Sequence, residues 1–143
     1  MALAEKISEL ETVFKKVYLI IGASSGIAQA TLSTLAKSSD NLIVAISRKY
    51  PKNDNTQSSD HNNIIRVTCD YSETSIERII TQLALANLNI DIIYIFNGML
   101  HDSSIKPEKQ LQQFNAEHFQ KIILVNTLVP MKWLSVLYRL LNK

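Results

Sequence analysis

Four short apolar runs are spaced along this chain between stretches of helical or polar character. They are Val17–Gly22 ("VYLIIG"), Leu42–Ser47 ("LIVAIS"), Ile64–Asp70 ("IIRVTCD") and Ile90–Gly98 ("IDIIYIFNG"). None alternates apolar and polar residues as a half-exposed strand would. Continuous apolar strands are covered on both faces, which a parallel sheet with helices on each side provides. Helical spacing marks Ser25–Ser38 and Ser72–Leu88, and a last long helix from about Ala116 to Leu141, with Asn115 as its cap. Ser72 reads as the N-cap of its helix, with an imperfect capping box, and Glu73 suits the positive helix end. Lys52–Asn63 is polar, holds no core-forming residue and reads as an exposed loop. The order read is β-α-β-α-β-α-β-α, an α/β doubly wound sheet of about four strands in the order 3-2-1-4. Leu3, Ile7, Leu10 and Phe14 recur at helical spacing, so 1–16 reads as an amphipathic extension and 17–143 as the domain.

Bulk properties narrow the function. A length of 143 residues, 46% of them hydrophobic, suits one domain. The net charge of +2 is too small, and Lys15, Lys16, Arg48, Lys49, Lys52, Lys106 and Lys109 too scattered, to argue for nucleic acid. Cys69 is the lone cysteine and no Cys/His group has zinc spacing; His61, His101 and His118 are far apart. No metal is expected. The first 16 residues carry Glu5, Glu9 and Glu11 and do not form a signal peptide. There is no run of 18 apolar residues. The expectation is a soluble, cytoplasmic protein with no membrane partner.

The first strand runs straight into "GASSGIA" and then a helix. Gly22 lets the chain turn sharply. Gly26 removes a Cβ where backbone would approach a pyrophosphate. Amides at the start of the next helix, with Ile27 among them, point at the anion, and Ser24 and Ser25 add hydroxyls. The spacing is Gly-x-x-x-Gly-x-Ala, and no Lys-Ser/Thr follows, so it is not a P-loop. The alternative is a tight βα turn with no ligand. The second strand ends "AISRKY", where an NAD site would place an acid on the ribose. Ser47, Arg48 and Lys49 stand there instead, and an Arg clamps a 2′-phosphate with two bonds, which favours NADP. Ordinary loop charges are the alternative.

"IIGASSGIA" resembles the Thr-Gly-x-x-x-Gly-Ile-Gly signature of short-chain dehydrogenases/reductases, with Ile21 for Thr and Ala28 for the last Gly. The resemblance runs from Val17 to about Lys143. "NGMLHDSSIKPEKQL" and "LVNTLVP" resemble the C-factor-type branch of that family. The resemblance implies a Rossmann-type fold and hydride transfer between NADP(H) and a small-molecule carbonyl or alcohol. It implies that Asp70 accepts from the adenine amine, helped by the Tyr71 amide; the alternative is that Asp70 caps the next helix. It implies backbone near the nicotinamide ribose at Gly98. The family's Asn pair falls on Ile95 and Phe96, leaving Asn97 to supply one such bond. Asn126 matches the helix Asn that holds a water in the proton relay; otherwise it bonds backbone at a Pro130 kink.

The catalytic Tyr-x-x-x-Lys pair has no match. Tyr18, Tyr50, Tyr71, Tyr94 and Tyr138 are followed four residues on by Gly22, Asp54, Ser75, Gly98 and Asn142. The chain reads as the front half of such a domain, ending where a fifth strand is expected. Three readings stay open: part of a dehydrogenase, a non-enzymatic NADP-binding module, or a truncated, inactive gene product. Apolar residues cover well over half of the circumference of helix 116–141, more than one sheet face needs. The resemblance implies a homo-oligomer through that helix, with Trp133 or its neighbours at the contact; the alternative is a monomer in which the amphipathic segment Leu3–Phe14 covers the surplus.

Overall fold

The computed structural model describes residues 3–8, 13–50, 62–100, 106 and 109–141. Four parallel strands form one sheet: β1 (Lys16–Ile21), β2 (Asn41–Ser47), β3 (Ile64–Thr68) and β4 (Ile92–Ile95), in the order β3-β2-β1-β4. This is the expected 3-2-1-4 order. The helices are α1 (Leu3–Ser8), α2 (Gly26–Leu35), α3 (Glu73–Leu85), α4 (Ala116–Ile123) and α5 (Val129–Leu137).

The strands bury both faces, as their continuous apolar runs require. Leu19, Ile21, Val44 and Ile46 point to a core shared with Ile7, Ile76, Ile79, Leu83, Trp133 and Leu137. Ile20, Ile43 and Ala45 point the other way, against Ala28 and Leu32 of α2 and its C-cap Ala36. Successive strand residues project to opposite faces, so one run of six apolar residues feeds both cores. Asp91 locks the entry of β4 to that of β1: its carboxylate accepts from Val17 N at 2.7 Å, and its own amide donates to Val17 O at 3.0 Å.

Several boundaries differ from those read in the sequence. The second helix is Gly26–Leu35 with Ser25 as N-cap, not Ser25–Ser38, and the third is Glu73–Leu85, not Ser72–Leu88. β4 is confined to Ile92–Ile95; Ile90 makes only an isolated bridge to Leu141. Among the described residues no helix separates β2 from β3, and 51–61 lie outside the description. Ile7 is fully buried in the core and α1 packs on α3. Leu10 lies outside the described residues.

The last helical stretch is interrupted. Leu124–Leu128 is a π-helical segment between α4 and α5, and Tyr138–Leu140 closes as a 3₁₀ turn. Pro130 explains the break, since a proline lacks the N–H that continues an α-helix. Asn115 caps α4 as expected, accepting from His118 N at 3.0 Å. Trp133 corrects the expected contact face: it is 0% exposed, inside the core. The uncovered apolar side carries Phe119, Leu124, Leu128, Met131, Leu134 and Tyr138. By length and composition Ala116–Leu140 could cross a membrane (mean hydropathy 1.2), but Val129, Trp133 and Leu137 are docked against the sheet core.

Asn63 shows how a polar loop enters the core. It is buried, and its Nδ2 donates to Ser38 O and Asn41 O, both at 3.0 Å, and to Ala36 O at 3.4 Å. One amide thus satisfies carbonyls left by the turn after α2 and the start of β2. Asn63→Ala is expected to lower stability by about 1–3 kcal/mol, read from urea unfolding. Asn63→Asp should cost more at neutral pH, because a carboxylate cannot donate to those carbonyls, and part of that extra loss should return on acidification.

Candidate functional site

The C-terminal ends of all four strands open on one side of the sheet. β1 lies between β2 and β4, and the chain passes outward on one side of β1 before crossing to the other. Ligands of doubly wound sheets bind in the crevice at such a switch point. Here a cavity of about 350 Å³ is lined by Gly22, Ser24, Ser25, Ser47, Arg48, Asp70, Tyr71, Phe96, Asn97, Gly98, Leu124, Val125 and Val129. Of the expected site residues, only Gly26, Ile27 and Asn126 are not in this lining. Gly26 and Ile27 adjoin it at the start of α2, and Asn126 lies between the lining residues Val125 and Val129.

The chain holds three glycines, and all stand at this crevice. They serve different ends. Gly22 has φ +81°, and a Cβ there would sit 2.7 Å from Asn97 N and from the Phe96 carbonyl carbon. It is required by the protein itself, where the turn after β1 meets the end of β4. At Gly26 and Gly98 a Cβ would meet no atom within 4 Å. Packing within the described residues gives no reason for glycine at either position.

The turn leaves donors open. Gly22 N and Ala23 N both donate to Ile46 O, at 2.9 and 3.0 Å, and Ser25 N to Gly22 O at 3.2 Å. Ser25 Oγ accepts from Ala28 N at 3.2 Å, so its proton is still available to a ligand. Gly26 and Ile27 occupy the first two positions of α2, whose amides have no acceptor within the helix. Ser24, Arg48 and Lys49 line a second, adjoining hollow of about 270 Å³.

At the far wall, Asp70 is exposed and Oδ1 accepts from Ser72 N at 2.9 Å and Ser72 Oγ at 2.7 Å. The N-cap of α3 is Ser72, as expected, and Asp70 braces it rather than capping the helix itself. Tyr71 has φ +65°, and its hydroxyl accepts from Gly22 N at 3.2 Å. Glu73, in the first turn of α3, pairs with Lys132 of α5 at 2.7 Å, tying this wall to the opposite one.

Asn126 sits in the π-helical segment with its amide turned onto the chain after β4. Oδ1 accepts from Met99 N at 2.7 Å, and Nδ2 donates to Met99 O at 2.8 Å. The expected bond to backbone exists, but it reaches 27 residues back rather than closing on its own helix. It holds Met99 and, next to it, Gly98. Ile95 and Phe96 occupy the positions of the family's Asn pair and offer no polar side chain. Asn97 faces the crevice; its Oδ1 is buried without a partner among the described residues.

Residues 16–143 match the short chain dehydrogenase family model. The chain belongs to this family. Solved structures share its fold. A short-chain dehydrogenase/reductase from Burkholderia multivorans, with bound NADP, is 18% identical with a TM-score of 0.75, over 89% of this chain and 54% of its own. A short chain dehydrogenase family protein from Francisella tularensis is 19% identical with a TM-score of 0.71, over 89% and 47%. A carbonyl reductase from Pseudomonas aeruginosa is 21% identical with a TM-score of 0.67, over 89% and 57%. The chain spans about half the length of these proteins. No curated protein matches the sequence.

The bonds on Asp70 predict a pH response. Hydrogen bonds from the Ser75 side chain, and then from Ser72, hold its carboxyl down to about 2. A depressed carboxyl contributes stability that is complete above the unfolded value, about 3.9, and is lost as pH falls through the folded one. Stability should therefore fall with acidification from about pH 4 towards pH 2. In Asp70→Asn that component should be absent, seen as a shallower decline in melting temperature over the same interval.

Proposed function

We propose that this chain is the NADP(H)-binding portion of a short-chain dehydrogenase/reductase acting on a carbonyl or alcohol. The observation that carries the reading is the pair Gly26 and Gly98, whose missing Cβ atoms face open space beside and within a crevice edged by unpaired amides and by Arg48. A ligand that presses against backbone at both points accounts for glycine there. The Gly26 and Ile27 amides, with the Ser24 and Ser25 hydroxyls, suit a pyrophosphate. The Ser24–Arg48–Lys49 hollow, with Ser47 beside it, suits a 2′-phosphate. Asp70 at the rim, with the Tyr71 amide, suits the adenine end, and Asn97 with Gly98 the nicotinamide ribose. The NADP bound in the Burkholderia relative lends the choice of cofactor some weight. Such a cofactor supplies a hydride at its nicotinamide ring. Asn126 then acts by positioning, since its amide fixes Met99 beside Gly98.

None of the five tyrosines has a Lys four residues on. Binding without turnover is therefore the activity proposed for these residues alone. The narrower C-factor-type affinity rests on 97–111 and 124–130, and a cytoplasmic setting on the lone cysteine, which suits a reducing compartment. NADPH should bind more tightly than NADH in fluorescence titrations. Arg48→Ala should remove most of the difference, about 1–3 kcal/mol. Gly26→Ala should weaken binding while leaving the melting temperature nearly unchanged, because its Cβ meets no protein atom. Equal affinity for both cofactors, or NADPH oxidation with carbonyl compounds above the uncatalysed rate, would contradict this reading.

The exposed side of the last helix, carrying Phe119, Leu128, Met131 and Leu134, is proposed as a contact with a second copy of the chain. Sedimentation should show a dimer or larger species at micromolar concentration. Leu128→Asp combined with Met131→Asp should shift it to monomer with little effect on folding, since both side chains are exposed.

A further inference from the structure

We propose that Tyr71 is an internal competitor for the crevice: its phenol occupies the floor between Gly22 and Asn97, and a dinucleotide ribose takes its place by displacing it. The proposal rests on the nucleotide-binding reading above and adds a residue that sets affinity from within the site.

Three features show that this position of the phenol is poorly secured. First, the backbone. Tyr71 and Asn87 are the non-glycine residues with positive φ among the described residues. Asn adopts that region readily, whereas a side chain such as Tyr is strained there. Second, the hydroxyl's bond to Gly22 N is redundant. It is 3.2 Å long, and the same amide already donates to Ile46 O at 2.9 Å. Gly22 loses nothing essential when the phenol leaves. Third, Asn97. Its side chain stands close enough to the Tyr71 hydroxyl to act on it, while its Oδ1 is buried with no partner among the described residues. An orphaned buried acceptor has lost its water without a replacement bond. Turning the amide over would only put its NH₂ into the same dead space.

Moving the phenol outward relieves these costs together. The phenol leaves a backbone position that suits it poorly, and the Asn97 amide becomes open to a hydroxyl that both donates and accepts, such as that of a ribose. The cavity of about 350 Å³ also grows, from the low end of the range usual for ligand sites. Exposed Asp70 and the crevice mouth lie beside Tyr71, so the displaced ring has solvent to enter. In the closed position, burial raises the phenol's pKa, the largest influence on it. A displaced phenol loses that effect.

The test pairs binding with a signal from the ring. Tyr71→Asn keeps a residue at ease with left-handed backbone and removes the phenol; it should bind NADPH about tenfold more tightly than the unmodified chain, the gain expected when a competing closed state is removed. Tyr71→Phe, which keeps the ring but loses its bonds, should fall between. Unchanged or weaker binding by Tyr71→Asn would overturn the proposal. In chain labelled with 3-fluorotyrosine, the ¹⁹F resonance missing from Tyr71→Phe should move on NADPH addition and titrate at lower pH than before. Saturation by NADPH with that resonance unmoved would overturn displacement and leave the cofactor reading intact. NADPH binding by Tyr71→Asn but not by the unmodified chain would support both. No binding by any of the three folded proteins would sink both.

Discussion

The main chains of β1 and β4 converge where Gly22 meets Phe96 and Asn97, and the crevice depends on that approach. A single methyl group at Gly22 would stand 2.7 Å from two backbone atoms of the neighbouring segment. With hydrogen there instead, Phe96 N donates to Ile21 O at 2.7 Å and the ladder continues to the end of both strands. The chain then turns at φ +81° and enters α2 with Ser25 as its cap. The amides of the turn, the floor at Asn97 and the wall at Tyr71 all take their places from this contact.

Around it, the walls are set by side-chain amides and a few ionic or hydroxyl contacts rather than by further strand pairing. Asn126 fixes Met99, Ser72 and Asp70 shape the start of α3, and Lys132–Glu73 joins the two sides. Asparagine suits this work because its planar amide donates and accepts at once, matching a peptide group. Burying such a group without partners is costly. Buried Asn63 makes its bonds; the Oδ1 of Asn97 has no partner among the described residues, and it faces the proposed ligand.

Much of this was legible along the chain. Continuous apolar runs required strands covered on both faces, and the sheet order followed. Gly22, Ser24, Ser25, Ser47, Arg48, Asp70, Tyr71, Asn97 and Gly98 each stand at or just after the end of a strand, so a parallel sheet brings them to one end. Less legible was anything set by contacts between distant residues. Asn63 looked like loop because its three acceptors lie more than 20 residues away. Trp133 looked available for contact because helical spacing tells how wide an apolar face is, not which part of it the sheet covers. The π-helical segment at Leu124–Leu128 was foreshadowed only by Pro130.

The sequence by itself determined the class of fold, the order of strands and the end of the sheet at which the site lies. These follow from local periodicity and from where glycine and polar residues interrupt it. Only the tertiary structure decided which partner each polar side chain takes. It gave Asn126 to Met99, Asp70 to Ser72, and the Tyr71 hydroxyl to Gly22 across 49 residues of chain. Hydrogen bonds are short and directional. Their pairing depends on ångström distances between strand ends, and these are set by the packing of the whole sheet.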